Sequence, residues 1–133
     1  MDTIFLDTVG LLALWNRRDQ WHVAAKEAFA KLLTRDVRFV STTCVLLECG
    51  NAAARHPFRT DVLTLREELL DDGQLIEPTA SDCEHAWAAY ARGEAGNAGI
   101  VDQISFAVMR RLGLTEAFTH NGHFRAAGFA TLF

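Results

Sequence analysis

The chain is poor in the patterns that usually announce a bound metal or a membrane. Its three cysteines, Cys44, Cys49 and Cys83, are an odd number, and no Cys-x-x-Cys or Cys/His spacing accompanies them. Without that spacing there is no basis for a zinc site, and free, buried thiols are expected. Cys44 and Cys49 fall on one expected helix, where a separation of five residues turns them to different sides. Long apolar runs are also missing: charge breaks every apolar stretch well short of the ~20 residues a membrane span needs. No basic-then-apolar leader opens the sequence, so a soluble, cytoplasmic protein with no membrane partner is expected. Nor is there an excess of positive charge. The 13 Lys and Arg against 17 Asp and Glu give a net charge of −4. That argues against coating nucleic acid through a basic face. It leaves room for a short piece of RNA held at a site whose own acids dominate the sum. Repeats, low-complexity tracts and linkers are absent as well.

What the chain does have is apolar residues, 50% of 133, enough to build the core of one domain spanning residues 1–133. Short strand patterns alternate with longer helical ones, which predicts an α/β fold: a three-layer α/β/α arrangement around a mainly parallel sheet. The first strand is expected at 3–6, followed by a helix that Thr8 can cap, running to about Trp15. Asp19 can cap a second helix, with Ala25, Ala28, Phe29 and Leu32 on one face. "VRFVSTT" reads as a strand, and Ser41 or Thr42 then caps a helix through "TCVLLECGNAAAR" to His56-Pro57. Phe58, Val62, Leu65 and Leu69 stripe the next helix, which ends at Gly73. "QLIEP" is a third strand. Ser81 and Glu84 suggest a capping box for a helix carrying Cys83, Trp87, Tyr90 and Ala91. The Gly-rich "RGEAGNAG" is expected as a loop, "VDQISFAVMRRLG" as a helix, "TEAFTHN" as a strand and "FATLF" as a last short strand.

Ligands of open parallel sheets bind beyond the carboxyl ends of the strands. Asp7 ends the apolar run Ile4-Phe5-Leu6 at such a place. Asp102 opens a helix after the Gly-rich loop, and Asn121 follows the strand around Phe118. Glu48 lies inside a helix in line with Cys44, Asn51, Ala52 and Arg55, a stripe that looks mostly inward. Each has a plain alternative: Asp7 and Asp102 as helix caps, Glu48 paired with Arg55, Asn121 starting a turn. If Asp7, Glu48 and Asp102 converge, each pair about 5 Å apart repels by roughly 3 kcal/mol at an effective dielectric of 20. A hard divalent cation, Mg²⁺ or Mn²⁺, suits such an all-oxygen cluster. Its chemistry points to phosphodiester hydrolysis.

These blocks in this order resemble a known family. Asp7 in "IFLDT", Glu48 in "TTCVLLECGNAAAR", Asp102 in "IVDQISFAVMRRLG" and then "AFTHNGHFRAAGF" are similar to the PIN-domain nucleases, in particular the VapC-type toxins of bacterial toxin–antitoxin pairs. The likeness includes "RRDQWHVAA" and runs over nearly the whole chain. It implies a PIN-like fold and an endoribonuclease that cuts RNA, a tRNA or a ribosomal loop. Asp7, Glu48 and Asp102 would be ligands of Mg²⁺ or Mn²⁺, directly or through water. It also implies a cognate antitoxin that fills a groove among the first helices and the helix from Phe58 to Leu70, and a homodimer.

The family's last block usually reads Thr, any residue, Asp; here it is Thr119, His120, Asn121. Asn121 then becomes a weak or indirect ligand, with one negative charge fewer to balance a second ion, and Thr119 a residue that orients water or phosphate. Arg17, Arg18 and, further off, Arg55 are candidates for phosphate contacts. Trp15 and Trp21 are candidates for base stacking, and His120 and His123 for RNA contact, although a packing role suits all four. The alternative function is a catalytically weakened PIN-fold module that binds RNA or protein. A phosphatase with Asp7 as nucleophile fits less well, because the second Asp that arrangement needs is Val9 here.

Overall fold

The computed structural model describes residues 1–133. Five strands form one sheet in the order β3-β2-β1-β4-β5, with every pair parallel. They are β1 (Asp2–Leu6), β2 (Val37–Thr42), β3 (Leu75–Ile76), β4 (Glu116–Phe118) and β5 (Ala130–Thr131). The helices are α1 (Thr8–Trp15), α2 (His22–Leu33), α3 (Thr43–Ala53), α4 (Arg59–Asp71), α5 (Ala80–Ala91), α7 (Ile100–Leu112) and α8 (Gly122–Ala126). The segment α6 (Glu94–Asn97) is a single turn. The expected α/β alternation is present, and the sheet is wholly parallel.

Strand order fixes the layers. The chain steps outward from β1 to β2 to β3, then crosses back to β4 and β5 on the other side of β1. Right-handed crossovers therefore put α1–α4 on one face and α5–α8 on the other. The packing of α1 with α2 and α3, of α3 with α4, and of α5 with α7 agrees with that division. β1 and β4 flank the point where the direction of winding reverses, the usual location of a ligand site in such sheets. The core lies at the same place. Ile4, Phe5, Leu6, Ala117 and Phe118 are buried against Leu11, Val40, Phe106 and Phe124.

Strand pairing sets the end of β1 beside the end of β4, with Leu6 opposite Phe118, and α1 then packs closely over that end. A Cβ on Gly10 of α1 would lie 2.0 Å from the Phe118 carbonyl oxygen. Only glycine lets α1 come this close to β4, while the parallel register of β1 and β4 brings Asp7 alongside Thr119.

Several helix starts differ from the expected ones. Thr8 does not cap α1; it is the first helical residue, and its hydroxyl bonds elsewhere. Asp19 accepts from the Trp21 amide at 2.8 Å, but α2 begins at His22, so Asp19 shapes the turn and caps no helix. Thr42 caps α3 by accepting from the Val45 amide at 3.1 Å, while the Ser41 hydroxyl donates to the Leu6 carbonyl at 2.8 Å, tying β2 to the end of β1. The capping box of α5 is Thr79 and Asp82, not Ser81 and Glu84. Both pairs have the right spacing, and the earlier one prevails because Asp82 also meets Arg111 in three hydrogen bonds of 2.8–3.2 Å.

Candidate active site

The carboxyl ends of β1 and β4 carry Asp7 and Thr119, both buried. Asp7 stands at the N-cap position of α1, yet its side chain makes no capping hydrogen bond. Its carboxylate accepts from the Thr119 hydroxyl at 2.8 Å. The Thr119 oxygen in turn accepts from the Asn121 amide at 3.0 Å, and Asn121 Nδ2 donates to Asp102 at 3.2 Å. A continuous hydrogen-bonded path therefore joins Asp7 to Asp102. Asn121 also caps α8 with its Oδ1, which accepts from the His123 amide at 3.0 Å. One amide group thus both starts a helix and holds a carboxylate.

Asp102 is the third residue of α7, whose N-cap is Gly99. It does not cap its own helix, and its side chain is free to face Asn121. Glu48 approaches from α3, held by the Thr8 hydroxyl, which donates to Glu48 Oε1 at 2.7 Å. The inward stripe expected around Glu48 is not found: Asn51, Ala52 and Arg55 are exposed and Glu48 itself is half-buried. Arg55 forms no ion pair with Glu48. None of the four salt bridges of the fold involves Asp7, Glu48 or Asp102.

The electrostatic result is that Asp7 and Asp102 are both raised, first by burial and then by a neighbouring acid. Burial, followed by the charge of Asp102, pushes the Asp7 carboxyl up to about 7, against the weaker lowering by Thr119 and by the Thr8 and Val9 amides. Burial also raises Asp102, and the charge of Glu48 adds to it, while the Asn121 hydrogen bond and His123 pull the other way. Behind the site, burial and the charges of Asp7 and Glu48 push the Cys49 thiol to about 12, so it adds no charge. All three cysteines are free, with Cys44 and Cys83 only partly buried.

The arrangement is an open one. No three or more His, Cys, Asp or Glu side chains stand close enough to enclose an ion by themselves. The available donors are carboxylate oxygens, without thiolate or paired imidazoles, and Asn121 turns its Nδ2 rather than its oxygen toward Asp102. Such a set fits a hard cation that keeps several waters better than a closed zinc site. An ion there would also relieve the cost of ionising Asp7.

The left-handed turn beside Asp102 escaped the sequence reading. Ala95, Gly96 and Asn97 all have positive φ, at 55°, 67° and 59°. For Ala95 this conformation costs roughly 1–2 kcal/mol. Two clamps hold it. The buried Gln103 donates to the Glu94 carbonyl at 2.9 Å, and His123 Nδ1 donates to the Ala95 carbonyl at 2.9 Å. Because a carbonyl can only accept, His123 carries a proton on Nδ1. Thr8 was also missed as a site residue, although its place after Asp7 at a strand end was the available signal.

Exposed Arg17 and Arg18 line a cleft of about 570 Å³ with Trp15, His56, Phe58 and Asp61, to which none of Asp7, Glu48 and Asp102 contributes. Trp15 is half-buried against the core, while Trp21 is 39% exposed and stacks on His120, ring centroids 4.4 Å apart and 15° between planes.

The sequence matches the PIN domain over residues 4–130. The chain belongs to the PIN-domain family. It is 32% identical over 131 residues to the 23S rRNA-specific endonuclease VapC20 of Mycobacterium tuberculosis, covering 95% of each chain. The crystal structure of that Mycobacterium tuberculosis protein, described as a sarcin–ricin loop cleaving toxin, superposes with a TM-score of 0.81 at 30% identity, over 96% of each chain. Two more distant structures share the fold. FitAcB from Neisseria gonorrhoeae gives a TM-score of 0.61 at 20% identity over 98% of this chain and 96% of its own. DNA-bound VapBC from Salmonella typhimurium gives 0.62 at 18% over 98% and 97%. The α/β PIN fold expected from the sequence is thus borne out. No helix is long and apolar enough to cross a membrane.

Proposed function

We propose that the protein is a divalent-metal-dependent endoribonuclease, the toxin of a toxin–antitoxin pair, and that its substrate is a structured RNA loop, with ribosomal RNA preferred over tRNA. The observation that carries this reading is Asp7: a carboxylate 2% exposed, facing a second acid and paired with no cation of the protein. The relation to VapC20 supports the choice of ribosomal RNA. Asp7 and Asp102 would hold Mg²⁺ or Mn²⁺, with Glu48 reaching it through water. Such an ion, when bound, lowers the pKa of coordinated water and stabilises charge developing on a phosphate.

The protein's own residues do the rest. Thr119 fixes the rotamer of Asp7, and Asn121 holds Thr119 and Asp102 at their spacing. Thr8 keeps Glu48 turned to the same side. Arg17 and Arg18 contact RNA phosphates in the cleft they line. Cleavage of 23S rRNA and total tRNA by the purified protein, across a Mn²⁺ and Mg²⁺ titration and in chelator, tests the reading. Discrete cuts that require the ion and vanish in Asp7→Asn are the expected result; equal cleavage in chelator contradicts it.

The antitoxin's place in this reading is an apolar cleft of about 370 Å³ between α1, α2 and α4, lined by Leu11, Leu14, Trp15, Phe29, Leu33 and Leu65. A second copy would cover exposed Trp87 and Tyr90 on α5, 53% and 51% exposed, and give the homodimer. The cytoplasm, where RNA and antitoxin are both found, is the matching location. Asn121 favours a second reading, a weakened PIN module that binds RNA or protein without turnover. Tight binding of intact RNA by the parent, with no cuts at any ion concentration, would support it.

A further inference from the structure

We propose that Trp21, backed by His120, is a stacking platform for one unpaired base of the RNA, in the nucleotide next to the phosphate at the carboxylates. The proposal deepens the endoribonuclease reading and rests on it.

Position is the first argument. His120 lies between Thr119, which holds Asp7, and Asn121, which holds Asp102. A ring stacked on His120 is therefore attached to the strand end whose Thr119 and Asn121 hold the two acids. An aromatic column reaches back from it into the core: His120 meets Phe133 at 5.4 Å, and Phe133 meets Phe118 at 5.0 Å. At the outer end stands Trp21, 39% exposed, with His120 as its one ring partner.

Rigidity is the second. The Trp21 amide donates to Asp19 at 2.8 Å, and the neighbouring His22 Nδ1 bonds the Ala13 carbonyl at 2.9 Å, pinning the turn between α1 and α2. The indole is thus held in place before any ligand arrives, which lowers the entropic cost of stacking. Charge is the third. Arg17 and Arg18, in the same turn, are exposed and supply cations in a chain of net charge −4. A flat aromatic face beside a local basic segment is how proteins hold unstacked bases of single-stranded loops.

A purely structural pin between the turn and β4 would use the same stacked pair, so the test must read the base itself. RNA hairpins carrying the sarcin–ricin loop, and others carrying an anticodon loop, are made with 2-aminopurine at each loop position in turn. Each is bound to Asp7→Asn protein, which keeps the RNA intact. One position is expected to lose fluorescence, to regain it when Trp21→Leu is added, and to lose it again with Trp21→Phe.

In the cleavage-competent background, Trp21→Leu lowers kcat/KM roughly 5- to 150-fold on the intact hairpin. It has little further effect on a hairpin abasic at that position. Quenching at no position that depends on Trp21, or an equal loss on intact and abasic RNA, overturns the platform. If the parent cuts none of the hairpins, it is the nuclease reading that fails, and the quenching pattern still decides the platform.

Discussion

Asp7 and Asp82 are both almost wholly buried carboxylates, 2% and 3% exposed, and both stand at the start of a helix. Their surroundings are opposite. Asp82 completes a capping box with Thr79 and takes the Arg111 guanidinium on both its oxygens. The Arg111 hydrogen bonds hold it below the usual carboxylate range. Asp7 has the Thr119 hydroxyl, weaker help from the Thr8 and Val9 amides and a facing acid, and is pushed to about 7. The same chain buries one acid with full compensation and leaves the other short of a cation. What is missing at Asp7 is what a nuclease would take from solution.

The largest expected effect of breaking this contrast is catalytic. Asp7→Asn should lower RNA cleavage by about 10³-fold or more, since it removes a charge on which transition-state stabilisation depends. Asp82→Asn should leave cleavage by the folded protein close to the parent's. Single-turnover rates on one RNA compare the two directly.

The contrast also has opposite signs in pH. Asp7 is raised from 3.8 to about 7, so between these values the folded protein keeps a proton that the unfolded chain has released. In the ion-free protein, that contribution to stability is complete below pH 4 and is lost as pH rises to about 7, by roughly 4 kcal/mol at most. Asp82 is lowered, so its contribution is present above pH 4 and lost on going further acid. Urea unfolding at several pH values in chelator checks this. The parent's stability should fall from pH 5 to 7.5 relative to Asp7→Asn.

A smaller effect is expected from removing the compensated pair. Asp82→Ala should cost about 2 kcal/mol of stability, through loss of the cap and of a partner for Arg111, which is 41% exposed and regains water. Denaturant midpoints give the value. Smallest is the support of Glu48: Thr8→Val should reduce cleavage about 10-fold, in the range of residues that orient a ligand without being one, with little change in melting temperature. A loss as large as that of Asp7→Asn would give Thr8 a more direct role.

The alternation of strand and helix patterns carried most of the fold in the sequence, because each element's apolar period survives in the packed structure. Boundaries were less readable where two local signals compete. Thr79/Asp82 and Ser81/Glu84 both have capping-box spacing, and only Arg111, 29 residues further along, decides between them. The strand-end position of Asp7 was readable from Ile4-Phe5-Leu6-Asp7. Its raised pKa was not, because it comes from burial in the packed fold and from Asp102, which is 95 residues away in the sequence. The stripe around Glu48 misled because α3 shows its Asn51 and Arg55 side to solvent, and no local signal distinguishes that from an inward face. The left-handed turn at Ala95 depends on Gln103 and His123, two distant clamps that leave no mark in "RGEAGNAG".

If Asp7 is a buried charge that a cation relieves, thermal unfolding of the parent and Asp7→Asn at pH 8, in chelator and again with Mn²⁺, separates the two proteins. In chelator Asp7→Asn should melt roughly 5–10 °C above the parent, and Mn²⁺ should raise the parent while leaving the variant nearly unchanged. A variant that melts below the parent in chelator, or an equal gain from Mn²⁺ in both proteins, would contradict it.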